Sequence, residues 1–132
     1  MALLALSGAY AMYVGMNADS VATMRRLRLN SVEASITRYT RDLGHLPPSL
    51  DALSAASSDE PGWRGPYSLS DPDAPWGAVS YAIVDATTVS YRITLAGRTS
   101  KSGELIPELV RERRVSLVGS KYLIRQSRAR TP

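Results

Sequence analysis

The residues best suited to chemistry lie in a loop rich in serine, proline and glycine, residues 54–77. The loop contains four carboxylates, and closely spaced carboxylates can bind a divalent cation or act as an acid–base pair. Carboxylates among Ser and Pro are more often solvated turn residues, and this is the interpretation that we favour. The four side chains are Asp59, Glu60, Asp71 and Asp73.

Other catalytic residue types are scarce. The chain has no Cys and one His, which excludes thiolate sites and multi-histidine metal sites. His45 follows a predicted helix end, where the helix dipole favours a cation, so we prefer a surface capping role over catalysis. No P-loop, dinucleotide-binding turn or nucleophile elbow occurs. We therefore predict that the protein is not an enzyme and has no cofactor.

A basic cluster, Arg25, Arg26 and Arg28, comes shortly after an uncharged stretch. Basic residues in such a place can mark the headgroup-level end of a membrane helix. Alternatively, Arg25 and Arg28 can pair with acids such as Asp19 or Glu33 of a neighbouring copy and set the register of an assembly. Both interpretations remain open.

The element that must carry this cluster is a long N-terminal helix. Residues 1–18 have no charged side chain, which is close to the ~20 apolar residues that a bilayer core requires. A secretory signal lacks support because no basic segment precedes the run, and a buried helix start is a further alternative. We predict one helix from about residue 2 to 43, roughly 60 Å long, so part of it protrudes. Its assembly residues are Leu3, Leu4, Leu6, Tyr10, Tyr13, Val14, Arg25 and Arg28.

The second half of this helix has the spacing of a single buried face. Apolar residues recur at intervals of three and four positions. Gly44 is suited to a left-handed helix end, and the prolines at 47 and 48 prevent continuation. We expect this docking stripe to hold the helix against a small head; it comprises Leu29, Val32, Ile36, Tyr39 and Leu43.

The rest of the chain predicts a small β-sheet. Residues 47–53 are expected to form a tight entry into one or two turns of helix. Residues 79–83 and 89–95 alternate in the manner of two strands of an antiparallel hairpin. Its apolar face should cross the docking stripe. Beyond residue 97 we expect a polar loop, a short helix within 104–112, strands at 114–118 and 121–124, and a disordered end.

These elements give an α+β fold with three segments. Residues 1–18 form an apolar stem, residues 19–125 a globular domain that includes the amphipathic half of the helix, and residues 126–132 a basic, disordered tail. The formal charge of +4 is uneven, since residues 98–132 contain nine basic and three acidic residues. Such a segment can contact nucleic acid, anionic lipid or an acidic protein.

Several short motifs follow one another in a fixed order after the long helix. The helix ends in the run YTRDLGHLP, followed by WRGPY and then PWG ahead of the first strand. In this order the motifs resemble those of type IV pilin-like proteins, and most of all the major pseudopilin family of type II secretion systems. The resemblance covers about residues 1–97. The residues carrying this resemblance after the helix are Gly44, Pro47, Trp63, Gly65, Pro66, Tyr67, Pro75, Trp76, Gly77 and Tyr81.

The resemblance implies a subunit of a pseudopilus or a type IV pilus-like filament, which assembles through its N-terminal helix to support protein export. It implies an inner-membrane location with the head in the periplasm, and partners that include copies of itself, other pseudopilins and an inner-membrane assembly platform. The alternative is a membrane-tethered module whose basic C-terminal segment binds DNA or anionic lipid. A third possibility is a soluble protein whose helix packs only on its own domain.

Three features depart from the family pattern. The processing site, a glycine followed by a phenylalanine and a nearby glutamate, is not found, and we expect the apolar stem to be the distal part of a longer segment. Ala74 stands where the family has an aspartate before Pro75. The family's calcium-binding loop would follow the second strand, but residues 95–104 contain one carboxylate and two cations, so we predict no calcium site there.

Overall fold

The computed structural model of the protein describes residues 18–68, 78–99, 103 and 105–130. The predicted start of the helix and most of the assembly residues lie outside these ranges, as does part of the carboxylate loop. The residues singled out above that fall outside these ranges are Leu3, Leu4, Leu6, Tyr10, Tyr13, Val14, Asp71, Asp73, Pro75, Trp76 and Gly77.

Helix α1, Ala18–Leu43, is the longest described element. Its 26 residues span about 39 Å at 1.5 Å per residue. All five residues of the docking stripe are buried in the core. The helix ends where the sequence predicts, because Gly44 takes a left-handed backbone conformation with φ of 85° and donates its N–H to the Thr40 carbonyl at 2.7 Å.

A 3-10 helix, Leu50–Leu53, and an irregular segment follow α1. The Leu53 carbonyl accepts the backbone N–H groups of Tyr67 and Ser68 at 2.7 and 2.9 Å. Buried Pro47 is held from the sheet side, since the Tyr81 hydroxyl donates to its carbonyl at 2.7 Å. These bonds satisfy backbone carbonyls of an irregular segment, join its two ends and tie it to the sheet.

Strand β1 is Val79–Asp85, β2 is Ser90–Leu95 and β5 is Leu109–Arg114. These three antiparallel strands form the main sheet in the order β1-β2-β5. Alternate residues of β2, namely Tyr91, Ile93 and Leu95, are fully buried in the cluster that contains the docking stripe. The predicted α+β fold, a long helix on a small antiparallel sheet, is confirmed.

The segment after β2 differs from expectation. Strand β3, Arg98–Thr99, pairs with β4, Leu105–Ile106, so the expected helix within 104–112 is wrong. The missed strand β5 turns two arginines toward α1: Glu33 lies 3.0 Å from Arg111 Nη1 and 2.7 Å from Arg113 Nε. Charged residues on the inner face hide the usual alternation of a half-buried strand.

The C-terminal segment also differs from expectation. Helix α2, Lys121–Arg130, replaces both the expected strand at 121–124 and the expected disorder of residues 126–130. Its start has a recognisable signal, because the Ser120 hydroxyl accepts the N–H of Leu123 at 3.3 Å in the manner of an N-cap. The expected strand at 114–118 is also wrong, since β5 ends at Arg114 and an irregular turn follows.

Candidate functional site

The described residues of the family motifs meet at the C-terminal end of α1. The centre of this motif cluster is Tyr67, whose buried hydroxyl donates to Asp42 Oδ2 at 2.9 Å and accepts the backbone N–H of Arg64 at 2.8 Å. Burial, followed by the nearby Asp42 carboxylate, raises the pKa of the Tyr67 phenol to about 12. The neutral phenol therefore serves as a permanent hydrogen-bonded bridge between the helix end and the loop.

Aromatic side chains surround this bridge. Tyr67 packs edge-to-face against Trp63 and Tyr39, with ring centroids 6.2 and 5.4 Å apart. A Cβ at Gly65 would lie 2.7 Å from the Trp63 ring and 2.9 Å from the Tyr67 ring. Glycine is therefore required between them, and the peptide bond from Gly65 to Pro66 is cis.

His45 lies at the edge of the cluster, where its Nε2 pairs with the Glu60 carboxylate. Partial burial acts to lower the pKa of His45, but the Leu46 carbonyl and Glu60 act to raise it, and the net pKa is above the ordinary value. The ring also contacts Tyr39 edge-on at 5.7 Å. This arrangement joins the helix end to the loop at Glu60.

Helix α2 packs directly on the motif cluster, which the sequence did not predict. The Tyr122 ring covers Gly44 so closely that a Cβ there would lie 2.5 Å from the ring. Arg125 donates to the Asp42 carbonyl at 2.5 Å and to the Pro61 carbonyl at 3.4 Å. A cation at the carbonyl end of a helix is favoured by the helix dipole, so Arg125 stabilises the end of α1.

Arg25, one of the predicted assembly residues, is buried against the head of its own chain. Its side chain is 1% exposed and donates to the Pro107 carbonyl at 2.7 Å, with a longer contact of 3.5 Å to the Leu95 carbonyl. The head of the same chain therefore encloses this arginine. Arg28 is half-buried and lines a small cavity with Leu50 and Asp51.

A metal site and a membrane span each place requirements on the described part of the chain. Among residues 18–68, 78–99, 103 and 105–130, no three His, Asp or Glu side chains are grouped closely enough to hold a metal ion. Within the same ranges, no helix combines the length and the apolar character needed to cross a membrane. The motif cluster holds together the C-terminal end of α1, the loop around Tyr67 and helix α2.

Comparison with known proteins agrees with this architecture. Residues 12–105 match the model of the family described as "Type II secretion system (T2SS), protein G". The match includes all of α1, the motif cluster and strands β1 to β3, but not helix α2. Neither the curated proteins nor the solved structures compared with the chain gave a significant match. Since the family match extends over most of the sequence, the chain belongs to the type II secretion system protein G family, the family of the major pseudopilin.

Proposed function

We propose that this protein is a pseudopilus subunit that assembles through its N-terminal helix and supports protein export by a type II secretion system. The observation that carries the proposal is the family match over residues 12–105. The family is a structural component of the secretion system rather than an enzyme family. In this role the subunit is stored in the bacterial inner membrane with its head in the periplasm, and it joins other pseudopilins at an assembly platform.

Two physical features support assembly through the helix. The docking stripe and the buried Arg25 attach α1 to the head, while residues 1–17 precede α1 and carry no charge. An uncharged segment of that length favours lipid or the matching segments of neighbouring copies over water. A subunit that moves from a membrane into a filament core requires a segment that is stable in both.

The proposal is tested by placing a charge in this segment. We expect Val14→Glu to lower the amount of filament sheared from cells that express the secretion machinery by about tenfold or more, because a carboxylate in an apolar core is strongly disfavoured. The matched control is Leu27→Glu, at a side chain on α1 that is 53% exposed. Filaments of Val14→Glu at the wild-type level would contradict the proposal.

We further propose that the loop after β2 functions without calcium, although the family implies a calcium site there. Residues 95–104 contain one carboxylate and two cations, and the buried guanidinium of Arg25 already donates to carbonyls on both sides of this loop. A divalent cation beside that charge would be repelled. The melting temperature should be the same in millimolar calcium and in chelator, whereas a calcium-dependent rise that the chelator reverses would contradict this.

A further inference from the structure

We propose that the outward surface of α2 is a docking site for an acidic protein segment that also carries apolar side chains. This α2 ridge consists of Leu123 and Ile124 with the flanking cations Lys121 and Arg128. The helix lies outside residues 12–105, which match the family model.

The inner side of α2 is fixed, which orients the outer side. Tyr122 packs on Gly44, and Arg125 bonds the carbonyls of Asp42 and Pro61. A binding surface on a helix held at two points loses little conformational freedom when a partner binds. The ridge is therefore preorganised rather than a loose tail.

The ridge combines exposed aliphatic groups with positive charge. Leu123 is 41% exposed and Ile124 48% exposed, although each is large enough to favour burial. Lys121, Ile124 and Arg128 are spaced by three and four residues and so share one stripe of the helix. Both cations of the stripe are exposed. A partner that covers this stripe meets a short apolar strip with a cation at each end.

The positive charge of the surrounding segment favours a negatively charged partner. Residues 113–132 contain six basic residues and no acidic residue. Charge complementarity at the rim of an interface accelerates association and excludes like-charged partners. A symmetric pairing of two α2 ridges would place Lys121 and Arg128 near the same cations of the other copy, so a second copy in that arrangement is disfavoured.

The position of the ridge favours a protein over a lipid surface, a step that rests on the proposed function. The ridge lies at the Leu43 end of α1, about 39 Å along the helix from Ala18. The uncharged residues 1–17, which are proposed to lie in the membrane, precede the N-terminal end of α1 at Ala18. The potential of anionic lipid decays within a Debye length of about 8 Å, so the ridge is too distant from that bilayer. Nucleic acid would leave Leu123 and Ile124 without apolar contacts.

Binding of labelled acidic peptides to the full chain, held in phosphatidylcholine nanodiscs, tests the proposal. One peptide is a helix with glutamates flanking a leucine stripe, and the second has serine in place of each leucine. Duplex DNA and phosphatidylglycerol vesicles are the competing probes. We expect the leucine peptide to bind about tenfold more tightly than the serine peptide, and both to bind better than DNA or vesicles at physiological salt.

Variants locate the binding to the ridge. The double variant Leu123→Ser and Ile124→Ser should bind the leucine peptide about tenfold more weakly than the wild type does. The double variant Lys121→Glu and Arg128→Gln should bind both peptides more weakly. The controls are Val84→Ser, at a side chain 47% exposed on β1, and Arg26→Glu at the far end of α1. Glutamate at the first turn of α2 suits the helix dipole, and circular dichroism verifies that the helix persists.

The outcomes separate cleanly. Any of three results would overturn the proposal that the α2 ridge is a docking site for an acidic protein. The first is that neither peptide binds, the second is that the ridge variants and the controls bind equally well, and the third is that DNA or vesicles bind better than the peptides. None of these results bears on filament assembly, which the Val14→Glu variant tests separately.

Discussion

Replacing Arg25 with methionine removes a buried cation while keeping a long aliphatic side chain. The guanidinium donates to the Pro107 carbonyl at 2.7 Å, and its contact with the Leu95 carbonyl is longer, at 3.5 Å. A hydrogen bond from a charged donor contributes about 1.5–3 kcal/mol. Pro107 is itself exposed, so water can partly replace the donor there. The expected loss of unfolding free energy is therefore about 2 kcal/mol.

The measurement is urea or thermal unfolding of the full chain in nonionic detergent, followed by circular dichroism. For a domain of this size, 2 kcal/mol corresponds to a fall in melting temperature of about 8 °C. Hydrogen exchange should also become faster in β4 and β5, which the Pro107 carbonyl links. The control is Arg26→Met, whose exposed guanidinium donates to the Thr23 hydroxyl at 3.3 Å. Its effect should stay within about 0.5 kcal/mol.

An Arg25→Met protein as stable as the wild type would refute this account. If assembly were lost at the same time, Arg25 would instead be a contact between subunits, as the sequence first suggested. Equal effects of Arg25→Met and Arg26→Met would indicate a general loss of charge on α1.

Three further predictions concern the motif cluster. Tyr67→Phe removes the hydroxyl shared by Asp42 and the loop, and chemical denaturation should show a loss of about 1–2 kcal/mol. Folding raises the pKa of His45. The side chain therefore contributes stability that is fully present below its unfolded pKa of about 6.5 and is lost as pH rises through the folded pKa. Thermal unfolding of the wild type at a series of pH values should show this decline, and His45→Gln should abolish it. Gly44→Ala combines backbone strain at φ of 85° with a collision against the Tyr122 ring, whereas the control Gly103→Ala has φ of 84° and open space around the new methyl group. Thermal unfolding should show the larger loss of stability for Gly44→Ala. Equal losses of stability would mean that the Tyr122 contact is unimportant.

The helix and the first hairpin were predictable because their sequence patterns report burial directly. The docking stripe repeats every three or four residues, and β2 alternates apolar with polar positions. Both patterns arise when one face of an element is buried and the other is in water. Gly44 was predictable for a different reason, since glycine takes the left-handed conformation that ends a helix without strain.

The placement of Arg25, β5 and α2 could not be read from those patterns. In each case a charged side chain contacts the head through its own hydrogen bonds: Arg25 to backbone carbonyls, Arg111 to Glu33, and Arg125 to the end of α1. Hydropathy assigns such residues to solvent, because it does not register a partner that is remote in sequence. Ser120 was a usable N-cap signal for α2, but the charge of the segment favoured a disordered end.

The central claim, assembly through the N-terminal helix, is tested most directly by cysteine cross-linking in cells. The chain has no native cysteine, so introduced pairs report defined contacts. A variant carrying Leu3→Cys and Val14→Cys should give a ladder of covalent oligomers upon oxidation, because successive subunits in a filament offer both positions to different neighbours. The ladder should require the secretion machinery. A protein that stays monomeric under oxidation, or a ladder that forms equally well without the machinery, would contradict the claim.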